Sequence, residues 1–140
     1  MRGLVTIVCV AAVAAGCGKR HTPSTIAAPA KPKAQFRVSL SAPTHTPRVG
    51  PKWWYVVRAS ARSGRRVHGR LTVEVVDPLG VAHPAEVGTS TRKLVGYPFS
   101  GRYRDFAEWP PAARGYRLVF RVTVAAEGAR RSVRYWVRPR

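Results

Sequence analysis

The chain has 140 residues, with 25 Lys+Arg against 6 Asp+Glu, so its formal net charge is +19 and its pI is about 11.7. This length suits one domain and excludes a two-domain enzyme, and the hydrophobic fraction of 45% argues against a fully disordered chain. Six carboxylates in the whole sequence argue against a carboxylate-rich calcium or magnesium site.

The N-terminus has the pattern of a secretory signal. Met1-Arg2-Gly3 is a short positive start, and residues 4–15 form an apolar run that is shorter than the roughly 20 residues needed to span a bilayer. The tetrad Ala14-Ala15-Gly16-Cys17 resembles a bacterial lipobox, although Ala14 stands where that signal most often has Leu. The resemblance implies that residues 1–16 are removed and that Cys17 carries a lipid anchor. An ordinary cleaved signal remains the alternative.

Cysteine usage fits this interpretation. Cys9 lies inside the apolar run and would leave with the signal, so the mature chain would keep Cys17 alone and could form no internal disulfide. Residues 17–35 are small, polar and Pro-containing, which predicts a lipidated Cys followed by a flexible tether. We therefore predict a lipid-anchored protein on the extracytoplasmic face of the cell membrane.

From residue 36 onward apolar and polar residues alternate, which predicts β-strands. Strands are predicted near residues 36–40, 53–61, 67–75, 81–83, 99–106, 116–124 and 133–137, with a short edge strand near 92–95 in an otherwise ambiguous segment 84–98. Pro and Gly turns separate them, and no stretch has a helical period. The prediction for 36–140 is an all-β, antiparallel β-sandwich of about seven strands with Greek-key connections.

This domain resembles bacterial immunoglobulin-like or fibronectin-type domains. The resemblance rests on Pro47-Arg48-Val49-Gly50, Gly64, Asp77-Pro78 and Gly115-Tyr116-Arg117-Leu118. It implies a tyrosine corner at Tyr116, whereas the lack of a cysteine pair excludes the disulfide of antibody-type domains. A weaker similarity to small periplasmic copper-handling β domains rests on Gly101-Arg102-Tyr103.

Metal and catalytic chemistry find little support. The histidines are His21, His45, His68 and His83, and Met1 is the only methionine, so soft copper(I) ligands are missing. A zinc site from His68 and His83 across a hairpin is an alternative to surface histidines. Asp105 and Glu108 could form a carboxylate pair, but we expect them to pair with Arg102 and Arg104 instead. We predict no metal, no cofactor and no enzymatic activity, with a metal- or copper-handling envelope domain as the alternative function and a small hydrolase as a third.

The last two predicted strands carry the candidate binding face. If these two strands are neighbours, alternation places five arginines and a tryptophan on one surface: Arg117, Arg121, Arg130, Arg134, Trp136 and Arg138. Such a surface could bind an anionic polymer through charge-assisted hydrogen bonds and stacking. The predicted export of the protein argues against nucleic acid as the partner. Another envelope protein, contacting Trp54 and Val56, is the other predicted partner class. The alternative to a binding surface is a solvated sheet face, with part of the Arg excess due to GC-rich codon usage. The sequence does not predict the oligomeric state.

Overall fold

The fold is described by a computed structural model that covers residues 35–89 and 91–140, where nearly all regular structure is β-strand. The predicted signal, Cys17 and the tether before residue 35 lie outside the described residues. Within the described ranges no helix has the length and apolar character needed to cross a membrane. The elements are β1 (Phe36–Ser41), β2 (Lys52–Ala61), β3 (His68–Val76), β4 (Ala82–Pro84), β5 (Glu86–Val87), β6 (Arg92–Lys93), β7 (Tyr97–Ser100), β8 (Arg102–Glu108), a 3₁₀ turn (Pro111–Ala113), β9 (Leu118–Ala126) and β10 (Ala129–Val137).

The strands form two main sheets. One has the order β1-β2-β8, and the other has the order β10-β9-β3-β4, with β7 also paired to β3. All pairings are antiparallel. Aromatic rings from the two sheets meet in the core, where the ring centroid of Phe120 lies 4.9 Å from that of Tyr55 and 5.2 Å from that of Trp53. The predicted all-β antiparallel sandwich without a disulfide is confirmed.

The period-two pattern of the sequence places one side of each long strand in the core. On β9, Leu118, Phe120, Val122 and Val124 are buried, and the residues between them are half-buried on the outer side. A side chain at Gly69 would collide with the backbone carbonyl of Ala125 on the neighbouring strand, so glycine permits the close approach of β3 and β9. The largest fully buried side chains are Tyr55, Phe36, Phe120, Leu71 and Leu94.

The single strand predicted over residues 99–106 is wrong, because the chain changes sheet at Gly101. Gly101 has a positive φ of 64°, which glycine adopts without strain. Its N–H donates to the Val67 carbonyl at 2.9 Å, and its own carbonyl accepts from the Ala59 N–H at 2.8 Å. The residues before it pair with β3 and those after it pair with β2. With this split and the short strands β5 and β6, residues 35–89 and 91–140 contain ten strands, where about seven were expected.

The segment that the sequence left ambiguous closes one end of the core. It contains the short β5–β6 hairpin, in which Val87 is buried, and it continues to Leu94, which is also buried. The Gly88 N–H donates to the Phe106 carbonyl at 2.9 Å, and the Leu94 carbonyl accepts from the Val73 N–H at 2.9 Å. The hairpin is therefore attached to both sheets.

The predicted tyrosine corner at Tyr116 is wrong. Tyr116 is 57% exposed and precedes β9, which begins at Leu118. Its neighbour Gly115 has a positive φ of 81° and donates its N–H to the Pro139 carbonyl at 2.7 Å, so the chain turns outward before the strand starts. A different tyrosine ties the chain together, since the Tyr135 hydroxyl donates to the Ala42 carbonyl at 3.3 Å.

Candidate binding face

The predicted basic residues of β9 and β10 lie on one outer surface. The register places Arg121 directly opposite Arg134, and Val119 directly opposite Trp136. All four are on the outer side, because the residues between them in β9 are buried. The structure therefore brings the six predicted residues to the outer side of one strand pair: Arg117, Arg121, Arg130, Arg134, Trp136 and Arg138.

The neighbouring strand β3 extends this surface with residues beyond the six predicted ones. Arg70, Thr72 and Glu74 stand opposite Ala125, Thr123 and Arg121 of β9 in that order. Their outward direction could be read from the buried Leu71 and Val73 beside them. Nothing in the sequence, however, identified β3 as the strand beside β9. We call the outer surface of β3, β9 and β10 the basic face.

Residues on the basic face form rows that cross the strands. Arg70 and Arg130 flank Ala125 in one row, and the row of Arg121 lies four residues along β9 from it. Four residues of antiparallel strand span about 13 Å. Arg117 and Arg138 follow at the same interval beyond Arg121 and Arg134. Between these cationic rows lie a hydroxyl row (Thr72, Thr123, Ser132) and an apolar row that ends in Trp136.

Charge on the basic face is almost entirely positive. Glu74 is its only acidic side chain among the described residues, and its Oε2 accepts from Arg121 Nε at 3.0 Å. The side chains of this pair are 23% and 27% exposed, so much of the pair is shielded from solvent. The pair offsets one positive charge, and in the part of the chain that the structure describes the remaining guanidinium groups of the face have no carboxylate partner.

Trp136 is held in place but stays partly accessible. The His45 ring stacks on it at a centroid distance of 4.2 Å and an angle of 13°, and His45 Nδ1–H donates to the Trp136 carbonyl at 2.6 Å. The guanidinium carbon of Arg117 lies 5.5 Å from the indole ring centroid. With 43% of its surface exposed, Trp136 offers a positioned aromatic edge within the basic face.

A depression of about 570 Å³ lies on the basic face beside the segment before β7. Arg70, Arg121 and Arg130 contribute to its walls, together with the hydroxyl row. Gly96 fixes the neighbouring segment onto the sheet, because its N–H donates to Thr72 Oγ1 at 3.1 Å and its carbonyl accepts from Arg70 Nη1 at 3.0 Å. The wall of the depression is therefore attached to its floor.

The other predicted contact residues lie on the opposite side of the sandwich. Trp54 is 42% exposed and stands opposite Phe106, with the two rings edge-on at 5.1 Å. The Arg104 guanidinium carbon lies 4.6 Å from the Trp54 ring centroid, and Val56 is half-buried beside them. Trp54 is thus a cation-flanked surface aromatic on the outer side of β2 and β8.

The alternative interpretation of His68 and His83 as a zinc site is wrong. His68 begins β3, whereas His83 on β4 stands opposite Val75 near the far end of the same strand. Seven residues of strand separate those positions, which corresponds to about 23 Å. His83 Nε2 instead lies 3.2 Å from Asp77 Oδ2. Across residues 35–89 and 91–140, no three His, Cys, Asp or Glu side chains are grouped so that they could hold a metal ion.

The candidate carboxylate pair is also wrong, because strand alternation points its members to opposite sides. Asp105 is 7% exposed, whereas Glu108 is exposed. The partners of Asp105 are not the expected Arg102 and Arg104. The Tyr103 hydroxyl donates to Asp105 Oδ2 at 2.6 Å, and Arg92 Nη2 lies 3.4 Å from the same oxygen. Burial and this hydrogen bond raise the pKa of Tyr103. The group joins β6 to β8.

Comparisons with known proteins give only distant likenesses. No family model and no curated protein matches the sequence. A DUF4466 family protein from Parabacteroides merdae is similar with a TM-score of 0.47 and 13% identity over 78% of this chain, which spans 45% of that protein. A domain of the outer membrane lipoprotein Omp28 from Porphyromonas gingivalis has a TM-score of 0.41 and 16% identity, covering 76% of this chain and 99% of that domain. At these scores neither likeness supports an inference about function.

Proposed function

We propose that this protein is a lipid-anchored component of the cell envelope that binds an anionic polymer through its basic face and performs no catalysis. The observation that carries the proposal is the alignment of guanidinium rows on one side of a hydrogen-bonded sheet, with Glu74 as the only acid among the described residues there. The sheet register fixes the backbone positions of these rows, so binding a charged chain requires ordering of the arginine side chains but not of the backbone.

An extended polymer suits this face better than a compact ligand. The rows are spaced by about 13 Å along the strands, so a chain lying along β9 would meet a new set of guanidinium groups at regular intervals. Guanidinium groups bind phosphate, sulfate and carboxylate groups through paired hydrogen bonds. Trp136 adds an aromatic surface between two cationic rows, where the apolar side of a sugar ring could pack.

The proposed location in the cell envelope rests on the sequence before the sandwich. The apolar run over 4–15 and the Ala14-Ala15-Gly16-Cys17 tetrad support export and acylation of Cys17. More than one acyl chain would anchor the protein stably, whereas a single chain binds a membrane weakly. The tether would then hold the basic face away from the bilayer, within reach of polymers of the envelope.

The strand order supports an immunoglobulin-like assignment within the same proposal. The order β1-β2-β8 opposite β10-β9-β3 corresponds to strands A-B-E opposite G-F-C of that sandwich. In this correspondence β3, β9 and β10 are strands C, F and G, so the basic face is the outer side of the GFC sheet.

Binding to defined polymers tests the proposal. Polyphosphate, polygalacturonate, neutral dextran and single-stranded DNA can be titrated against the protein and against the R117Q/R134Q variant at low and high salt. We expect binding to the two envelope-type polyanions that falls steeply with salt, none to dextran, and a clear loss in the variant. Tighter binding to DNA than to both other polyanions would favour a nucleic-acid protein instead, and equal affinities of variant and wild type would overturn the role of the basic face.

The anchor is tested separately by cell fractionation. Cys17→Ala should move the protein from the membrane fraction to the soluble extracytoplasmic fraction, because the acylated side chain is lost. Cys9→Ala is the matched control, since Cys9 lies in the segment that the signal resemblance removes. Membrane retention of the Cys17→Ala protein would contradict the lipid anchor and leave polymer binding unaffected.

A second candidate partner, another envelope protein, is favoured by one observation. Trp54 is 42% exposed between Phe106 and Arg104 on the side of the sandwich opposite the basic face. Exposed tryptophans and arginines often anchor protein interfaces. Crosslinking in intact cells should capture a defined protein that is lost with Trp54→Ala and kept with Trp136→Ala; the reverse pattern would contradict this assignment.

A further inference from the structure

We infer that the depression on the basic face binds a tetrahedral oxyanion, the phosphate or sulfate group of the polymer, between Arg70 and Arg130. This inference rests on the proposed function and specifies the chemistry that the basic face recognises. It is carried by the register around Ala125, by the hydrogen bonds that fix the walls, and by the number of donors left free.

The register places two guanidinium groups on opposite sides of a small residue. Arg70 on β3 and Arg130 on β10 both stand opposite Ala125 on the strand between them. Two strand spacings separate their backbones by about 9.6 Å. Because Ala125 has only a methyl group, the space above it stays open, and one depression extends from Gly96, which holds Arg70, to Arg130 on β10.

The two arginines differ in how they are held. Arg70 is fixed by its hydrogen bond from Nη1 to the Gly96 carbonyl and keeps its other N–H groups for a ligand. Arg130 is exposed, and its guanidinium has no partner among the described residues. The site therefore combines one positioned donor group with one that can close on a bound ion.

Hydroxyl groups supply donors from a third direction. Thr72 Oγ1 accepts from the Gly96 N–H and still has its own proton to donate. Thr123 Oγ1 and Ser132 Oγ lie 2.8 Å apart, so one proton is shared between them and the other remains free. Two hydroxyl protons are thus available beside the guanidinium groups.

This donor arrangement distinguishes between kinds of anion. A carboxylate has its two oxygens in one plane with its carbon, whereas phosphate and sulfate groups direct oxygens toward several corners of a tetrahedron. Arg70 and Arg130 lie on strands on either side of Ala125, and the hydroxyl row lies two residues along the strands from them, so the donors surround the depression instead of lying in one line. Glu74 also lines the depression, but its carboxylate is paired with Arg121 and so contributes little repulsion. The volume of about 570 Å³ admits a sugar ring that carries such a group.

Sugar ligands that differ in their acidic group test the inference. Glucose 6-sulfate and glucuronate each carry one negative charge on a glucose ring and form the charge-matched comparison, whereas glucose 6-phosphate carries between one and two charges at neutral pH and separates phosphate from sulfate. The full-length protein is titrated with each ligand, and backbone amide chemical shifts provide the readout. We expect shifts at Gly96, Thr123 and Ser132, with glucose 6-sulfate bound at least about tenfold more tightly than glucuronate. Equal binding of glucuronate, or shifts spread over both sheets, would overturn the inference.

Four variants separate a built site from the general positive field. Arg130→Gln should weaken glucose 6-sulfate binding about tenfold, whereas Arg138→Gln, which removes the same charge elsewhere on the basic face, should weaken it less than about twofold. Ala125→Leu fills the space above position 125 between Arg70 and Arg130 without changing the charge, and it should abolish binding. Thr123→Val removes only a hydroxyl and provides a second test if the leucine variant does not fold. Equal losses in Arg130→Gln and Arg138→Gln would overturn the site.

The inference and the proposed function can fail independently. If polyphosphate still binds the basic face while the small ligands cause no localised shifts, the oxyanion site is wrong and the polymer-binding proposal stands. If neither class of ligand binds, both are wrong.

Discussion

Arg121 on β9 stands directly opposite Arg134 on β10, so two guanidinium groups share one cross-strand pair. Like charges directly opposite each other destabilise a sheet. Glu74, on the other side of Arg121, offsets one of these charges, but Arg134 remains uncompensated by a carboxylate in this row. The face thus carries an electrostatic cost to folding, which is expected where a surface is kept for binding a charged partner.

The first prediction is that Arg134→Thr stabilises the fold and weakens polymer binding. Removing the like-charge pair should raise the free energy of unfolding by about 0.5 kcal/mol, and threonine suits a strand. Chemical denaturation measures the stability, and titration with polyphosphate measures the binding. Arg58→Thr is the matched control, because Arg58 stands opposite Arg102 on the other sheet. It should give a similar gain in stability with unchanged binding; the same loss of binding in both variants would contradict the prediction.

The second prediction concerns the acid of the basic face. Glu74→Gln removes the ion pair with Arg121, so we expect a lower free energy of unfolding, by about 1 kcal/mol, because both side chains are largely shielded from solvent. Polymer binding should become stronger, since the basic face gains a net positive charge. Glu127→Gln, which breaks a more exposed pair with Arg65, should change binding little. Weaker polymer binding in the Glu74 variant would show that the carboxylate assists recognition.

The side of each long strand that packs into the core could be predicted from sequence, but the neighbouring strands in the sheet could not. Alternation predicts that Arg121 and Arg134 point outward, whereas their common surface depends on the last two strands being neighbours, which the register shows. The pairing of β3 with β9 depends on contacts distant in sequence, so Arg70 and Thr72 were not assigned to the site. Gly101 was also misread, because a φ of 64° that moves the chain between sheets looks like continuous alternation in the sequence.

The third prediction is that Tyr55→Phe stabilises the protein. The Tyr55 hydroxyl is fully buried and has no hydrogen-bond partner among the described residues, so its removal should add about 1 kcal/mol to the free energy of unfolding. Burial also raises the pKa of Tyr55 in the fold above its ordinary value of 10.0. The folded state then holds this proton more tightly, and stability should fall as pH rises above about 10.

The alkaline loss attributable to Tyr55 has a limiting slope of about 1.4 kcal/mol per pH unit. Phenylalanine cannot ionise, so the variant should lose stability less steeply over this range than the wild type. Parallel stability profiles for the two proteins would show that Tyr55 does not cause the alkaline loss.

The fourth prediction tests the close approach of β3 and β9. A methyl group at position 69 would collide with the Ala125 carbonyl and the Ala126 side chain. Gly69→Ala should therefore lower the free energy of unfolding by about 1–3 kcal/mol, measured by thermal or chemical denaturation. Gly80→Ala is a useful contrast, because no atom lies within 4 Å of its added methyl group and only its positive φ opposes the change. A neutral effect at Gly69 would contradict the described register of these strands.

Polymer binding through the basic face is tested most directly by its salt dependence in two charge-matched triple variants. One replaces Arg117, Arg130 and Arg134 of the basic face with Gln, and the other replaces Arg37, Arg58 and Arg102 on the outer side of the three-stranded sheet. The slope of log K against log salt for polyphosphate reports the number of ionic contacts, at roughly 0.7–0.9 per contact. We predict that the basic-face variant loses about 2–3 from this slope and that the other retains the wild-type slope. Equal slopes in the two variants would contradict binding through the basic face.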